Sequence, residues 1–202
     1  AGLGDIDGDG FGDVGIGMPG LNLHKGGVLV FKGSASGLVA NGSPANAATL
    51  LVNPTPGDIY FPGSFGTAIA GGDLNGDGYA DLVVGASTYS SGQAGEGAIF
   101  TYYGSATGIP NGGPSTSNVT LESNQAGTIT AEDILDIGFG WTIGVGDTNG
   151  DGFGDLIAGA QRFTVDQANE GAVLVYRGGS RGIPSGNNLT ASTRLDATGV
   201  SV

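Results

Sequence analysis

The chain has 202 residues, 43 of them Gly, with 19 acidic residues against six basic ones for a formal charge of −13. So much Gly, against a usual ~7%, excludes a helical bundle, where each interior Gly costs about 1 kcal/mol. Its lack of an every-third-residue period excludes collagen. Six scattered cations (Lys25, Lys32, Arg162, Arg177, Arg181, Arg194) build no basic patch, which excludes nucleic acid and an anionic membrane surface as partners, and no apolar run approaches the ~18 residues that membrane insertion needs.

Without Cys there are no disulfides and no thiolate sites. Ala1, in place of an initiator Met, reads as a cleaved or trimmed start.

In chain order, the first element is an acidic nonapeptide, Asp5-Ile6-Asp7-Gly8-Asp9-Gly10-Phe11-Gly12-Asp13. Only Ala1-Gly2-Leu3-Gly4 stands before it, so its opening strand is truncated. An apolar run over 14–18 follows, then Gly27-Val28-Leu29-Val30-Phe31-Lys32-Gly33 and a Ser-rich turn closing on Gly37-Leu38. The same succession returns as Phe65-Gly66-Thr67-Ala68-Ile69-Ala70, then Asp73-Leu74-Asn75-Gly76-Asp77-Gly78-Tyr79-Ala80-Asp81, a run over 82–87 and Gly97-Ala98-Ile99-Phe100-Thr101-Tyr102-Tyr103-Gly104. It returns again as Phe139-Gly140-Trp141-Thr142-Ile143-Gly144, Asp147-Thr148-Asn149-Gly150-Asp151-Gly152-Phe153-Gly154-Asp155, a run over 156–160 and Gly171-Ala172-Val173-Leu174-Val175-Tyr176-Arg177-Gly178.

Each copy reads as four short strands separated by turn residues, in the second copy near 65–72, 81–87, 97–103 and 118–122. Tandem four-stranded units of ~70 residues predict propeller blades. The expected domains are 1–64, 65–138 and 139–202. The fold class is all-β, with three blades that form part of a ring or complete one by self-association, because an ordinary propeller needs about four to eight blades. An open stack exposes an apolar face at each end, which marks an interface.

The nonapeptides carry the chemistry. Positions 1, 3, 5 and 9 offer side-chain oxygens: Asp5, Asp7, Asp9 and Asp13; Asp73, Asn75, Asp77 and Asp81; Asp147, Asn149, Asp151 and Asp155. Position 7 (Phe11, Tyr79, Phe153) supplies a backbone carbonyl, and Gly at positions 4 and 6 lets the chain turn tightly. Hard oxygen donors in a flexible loop suit Ca²⁺, which takes six to eight ligands at roughly 2.3–2.6 Å, better than Mg²⁺. Three Ca²⁺ sites are expected. An EF-hand is rejected, since its Glu at position 12 is here Ile16, Val84 and Ala158. A plain Asp-rich turn explains one such loop but not three that keep every oxygen position. Ten of the 19 acids lie in these loops and repel one another without a cation.

The succession Phe-Gly, Asp-x-Asn-Gly-Asp-Gly-x-x-Asp, Gly85-Ala86 or Gly159-Ala160, then Gly-Ala-x-x-x-Tyr-x-Gly resembles the FG-GAP repeat of integrin α-subunit β-propellers and related bacterial proteins. The first copy departs from it, with Gly17-Met18-Pro19 and no Phe-Gly. The resemblance implies a seven-bladed propeller whose Ca²⁺ loops join strands 1 and 2 of each blade. It also implies a secreted or cell-surface module for adhesion or ligand recognition, with a protein or glycan ligand, and the lack of Cys looks bacterial rather than animal. No catalytic activity is expected. The alternatives are an accessory or catalytic part of a secreted hydrolase, a lectin-like carbohydrate-binding propeller, and a structural spacer.

Among the remaining residues, the lone His24 reads as a solvated loop residue. Tyr60, Phe61, Tyr89, Tyr102, Tyr103 and Trp141 could stack on sugars but read mainly as core or blade contacts, with Trp141 packed on an inner strand. Loops 89–96 and 163–170 and the segment 123–137 differ most between copies, which suits binding. Within that segment Glu132-Asp133-Ile134-Leu135-Asp136 fits a helical turn or a contact site. Asn41-Gly42-Ser43, Asn118-Val119-Thr120 and Asn188-Leu189-Thr190 match the glycosylation sequon, a frequent chance match in this composition.

Overall fold

A computed structural model of the chain describes residues 1–54, 64–129, 134–135 and 137–196. The chain folds as three antiparallel sheets in sequence order. The first contains β1 (Gly2–Gly4), β2 (Asp13–Gly17), β3 (Gly27–Phe31) and β4 (Thr49–Val52), in that spatial order. The second contains β5 (Ala68–Gly72), β6 (Asp81–Ala86), β7 (Ala98–Tyr102) and β8 (Val119–Glu122). A two-stranded ladder follows, β9 (Thr128–Ile129) with β10 (Ile134–Leu135). The third sheet contains β11 (Thr142–Gly146), β12 (Asp155–Ala160), β13 (Ala172–Tyr176) and β15 (Thr193–Asp196), while β14 (Gly186–Asn187) crosses to pair in parallel with β8. The fold is all-β, its sheets match propeller blades, and they do not close into a ring. The only α-helix among the described residues is one turn, α1 (Leu21–His24), too short to cross a membrane.

Register repeats between copies. Val84 stands opposite Ile69 and Phe100, and the equivalent Ala158 opposite Ile143 and Leu174. Alternate side chains of a strand point to opposite faces, so β6 divides its apolar residues between two layers. Leu82, Val84 and Ala86 join Val28, Val30, Leu51, Phe65, Phe100 and Tyr102 between the first and second sheets. Val83 joins Ile99, Leu121, Phe139, Leu156, Leu174 and Tyr176 between the second and third. Every residue of β6 is therefore buried, whereas Ile157 and Gly159 of β12 are only partly covered and Leu195 of β15 is 60% exposed. The far face of the third sheet is open.

Successive sheets lock through Phe-Gly. Phe65 bridges Gly26 of the first sheet, and its ring meets Phe100 edge-on at 5.7 Å between centroids. The backbone of Gly140 comes so close to Gly85 that any β-carbon there would overlap the Gly140 carbonyl, and Gly66 crowds Gly17 in the same way. This contact is why small residues recur there. It also explains why the second unit's strand starts at Ala68 rather than at 65: the Phe-Gly pair is spent on the preceding sheet.

The structure refines four expectations. The truncated opening strand of the first copy still forms, as β1, with Gly2 opposite Val14. Trp141 is not packed: it is 48% exposed, because its N–H closes a turn onto the Gly138 carbonyl and holds it outside β11, while Phe139 takes the buried place. Of the segment 132–136, which fits a helical turn or a contact site by sequence, Ile134 and Leu135 form a strand, and the rest lies outside the described residues, as do Tyr60 and Phe61. His24 lies in α1 rather than in a loop.

Candidate metal centre

Each acidic nonapeptide joins the first and second strands of a sheet, between β1 and β2, β5 and β6, and β11 and β12. Its short side chains organise the turn by accepting its own backbone N–H groups, the usual local chemistry of Asp and Asn. At position 1, Asp5 accepts Gly8 N–H at 2.7 Å on Oδ1 and Gly10 N–H at 2.8 Å on Oδ2. Asp73 accepts Gly76 at 2.6 Å and Gly78 at 3.0 Å, and Asp147 accepts Gly150 at 2.7 Å and Gly152 at 2.9 Å. At position 3, Asp7, Asn75 and Asn149 accept the position-5 N–H at 3.2, 3.0 and 3.0 Å. At position 5, Asp9, Asp77 and Asp151 accept the position-7 N–H at 2.9, 3.0 and 3.0 Å. The two glycines adopt left-handed φ in every copy, +74° and +90° at Gly8 and Gly10 for example, which a side chain would resist.

Position 9 ties the loop to the sheet. Asp13, Asp81 and Asp155 are buried. Their Oδ2 atoms accept the position-2 N–H of Ile6, Leu74 and Thr148 at 2.8, 2.9 and 2.9 Å. Their Oδ1 atoms accept Gly33, Gly104 and Gly178 N–H, just beyond β3, β7 and β13, at 2.9, 3.0 and 3.0 Å. Burial pushes the Asp81 carboxyl up to about 6, with help from the Asp77 and Asp73 charges. Burial likewise raises Asp13. Burial opposes ionisation of Asp155 too, but there the Thr148 hydroxyl adds a hydrogen bond that Ile6 and Leu74 cannot make, and the carboxyl is held below its ordinary value.

Carboxylate oxygens of Asp5, Asp7 and Asp13 all lie within 4.8 Å of one another. The structure also sets a cation against this loop: Lys32 Nζ lies 2.6 Å from Asp7 Oδ2, and its hydrogen bond holds the Asp7 carboxyl below the usual range. In the other two loops the Asn75 and Asn149 amides donate to Asp77 and Asp151 at 2.9 and 2.8 Å, taking the place of that cation. A hard divalent ion fits this donor set by charge and atom type. The fifteen residues named from the sequence thus fall into three equivalent loops, with Phe11, Tyr79 and Phe153 at the same turn position in each.

Two features escape sequence reasoning. One is the Lys32 ion pair, whose only trace is a Lys before Gly33 where the other copies carry Tyr103 and Arg177. The other is a loop-bonding carboxylate in each of the variable loops, buried at Glu96 and half-buried at Glu170. Glu96 Oε1 accepts Ser91 and Gln93 N–H at 2.7 and 3.3 Å, and Glu170 Oε1 accepts Val165 and Asp166 N–H at 2.8 and 3.1 Å. The shared Glu before Gly97-Ala98 and Gly171-Ala172 was the available signal. Among the sugar-stacking candidates, Tyr102 is buried and Tyr89 packs edge-on against Phe100 at 5.2 Å.

Comparison with known proteins gives a consistent family. The FG-GAP repeat model matches residues 65–102 and 139–176. Phosphatidylinositol-glycan-specific phospholipase D from Homo sapiens is 33% identical over 182 residues, 87% of this chain and 20% of that protein. The Mus musculus protein of the same name is 31% identical over 177 residues, 85% of this chain and 19% of that protein. Integrin alpha-4 from Xenopus laevis is 34% identical over 120 residues, 59% of this chain and 10% of that protein. The chain spans about a fifth of the length of the phospholipase relatives.

Proposed function

The chain is an FG-GAP repeat protein, and on that premise we propose that it is a calcium-stabilised extracellular module for adhesion or ligand recognition. The observation that carries this reading is the threefold recurrence of one hydrogen-bonded oxygen cradle at the same topological place. Asp5, Asp7, Asp9, Asp13 and the Phe11 carbonyl hold one Ca²⁺. Asp73, Asn75, Asp77, Asp81 and the Tyr79 carbonyl hold a second, and Asp147, Asn149, Asp151, Asp155 and the Phe153 carbonyl a third. The ion neutralises carboxylates that otherwise repel, and so fixes the angle between the first two strands of each sheet. Extracellular loops of this kind suit the millimolar Ca²⁺ outside cells.

Ligand recognition is assigned to loops 89–96 and 163–170 and to the segment 123–137, which differ most between copies. A further blade, in this chain or in a second copy, covers the open third sheet. A second reading draws on the likeness to phosphatidylinositol-glycan-specific phospholipase D: the segment is then a non-catalytic module of a larger enzyme. Both readings share the calcium loops; glycan or protein binding by this chain alone favours the first, and binding of neither favours the second.

Thermal unfolding tests the common premise. Ligand binding to the native state adds RT ln(1 + [L]/Kd), about 2.7 kcal/mol per site at a hundredfold excess over Kd. Millimolar Ca²⁺ is expected to raise Tm by several degrees over a chelator-treated sample, and equal Tm values in the two conditions contradict the reading.

A further inference from the structure

We propose that the three acidic loops act as one linear, coupled cation site rather than as three independent ones, an inference that rests on the calcium reading above. The loops touch one another through the very peptide units that would hold the ions. Ala80 N–H donates to the Asp5 carbonyl at 2.8 Å, and Gly154 N–H donates to the Asp73 carbonyl at 2.7 Å. These amides belong to the 79–80 and 153–154 peptides, whose other ends are the Tyr79 and Phe153 carbonyls, the position-7 donors of the second and third loops. Both peptides are trans, so each points its N–H away from its C=O. Each gives its hydrogen to the preceding loop's first ligand residue, and would offer its oxygen to the ion of its own loop.

Two further contacts repeat in the same places. Ser105 N–H donates to the Ile6 carbonyl and Gly179 N–H to the Leu74 carbonyl, both at 3.1 Å. The position-7 ring of one loop lies on the position-4 Gly of the loop before it. A β-carbon on Gly8 would sit 2.7 Å from Tyr79 Cε1, and one on Gly76 would overlap the Phe153 ring. Among the described residues, the first and third loops share no such bond.

The physical consequence has a definite sign. An ion on the Tyr79 carbonyl polarises the peptide and strengthens its N–H as a donor to Asp5. It also fixes the ring and backbone that press on the first loop, so that loop loses less conformational freedom when it binds. Linkage makes the effect reciprocal: each loop tightens its neighbour by the same factor. Plain repulsion between two divalent ions acts in the opposite direction, so the sign separates the two mechanisms.

The test is a Ca²⁺ titration of the ¹⁵N-labelled chain, read at the Gly10, Gly78 and Gly152 amides, which report the three loops separately because each donates to its own position-1 carboxylate. Asp77→Asn disables the middle loop, and is expected to raise the Ca²⁺ midpoints at Gly10 and Gly152 by about fivefold or more. Asp151→Asn is expected to raise the midpoint at Gly78 by a similar factor. Added to Asp77→Asn, it leaves the midpoint at Gly10 where the single variant put it. Should Asp77→Asn not fold, Asp151→Asn alone decides the matter through Gly78. Midpoints of the untouched loops that stay in place, or fall, overturn the coupling while leaving calcium binding intact. If no amide in the wild-type chain responds to Ca²⁺, the calcium reading itself is overturned and the coupling with it.

Discussion

Phe139 and Trp141 stand two residues apart and have opposite fates. Phe139 is fully buried and meets Tyr176 edge-on at 6.4 Å, while half of Trp141 faces solvent. Phe139→Ala is expected to cost about 3–5 kcal/mol, and Trp141→Ala less than about 1 kcal/mol, both read from urea unfolding in calcium. The sequence alone misplaces Trp141, because a Trp following Phe-Gly looks like core. What it lacks is the turn closed by the Trp141 N–H. The loop residues are legible for the converse reason. The hydrogen bonds of Asp5, Asp73 and Asp147 go to N–H groups two to five residues ahead, so their roles are written in local spacing. Lys32 is not legible, because its partner Asp7 lies 25 positions away across the sheet.

At the level of strands and sheets, legibility follows chain proximity again. The second unit's strands are expected at 81–87, 97–103 and 118–122, and fold as Asp81–Ala86, Ala98–Tyr102 and Val119–Glu122, since alternation and bounding glycines fix hairpins locally. The pairing of β14 with β8 of the neighbouring sheet has no such signal. Sheet-to-sheet packing makes its own prediction. A side chain at Gly85 would collide with the Gly140 backbone, which cannot swing aside as a flexible side chain can, whereas a β-carbon at Gly144 meets nothing within 4 Å. Gly85→Val is therefore expected to lose about 1–3 kcal/mol or more by overpacking. Gly144→Ala, in the same assay, leaves stability unchanged or raises it by up to about 1 kcal/mol by restricting the unfolded chain.

Across the whole molecule the asymmetry lies in the two faces of the stack. The second sheet is covered on both sides, and the third keeps Ile157, Val173 and Leu195 along its open face. An uncovered apolar sheet face favours association. Light scattering is expected to show concentration-dependent oligomers that Leu195→Lys disperses, and a wild-type chain that stays monomeric at high concentration contradicts the expectation. The central claim concerns the ions themselves. Counting bound calcium per chain by native mass spectrometry measures it most directly: three ions on the wild-type protein, and none on the chain carrying Asp9→Asn, Asp77→Asn and Asp151→Asn together, is the predicted result. A wild-type chain that retains no calcium, or a triple variant that retains three, would contradict it.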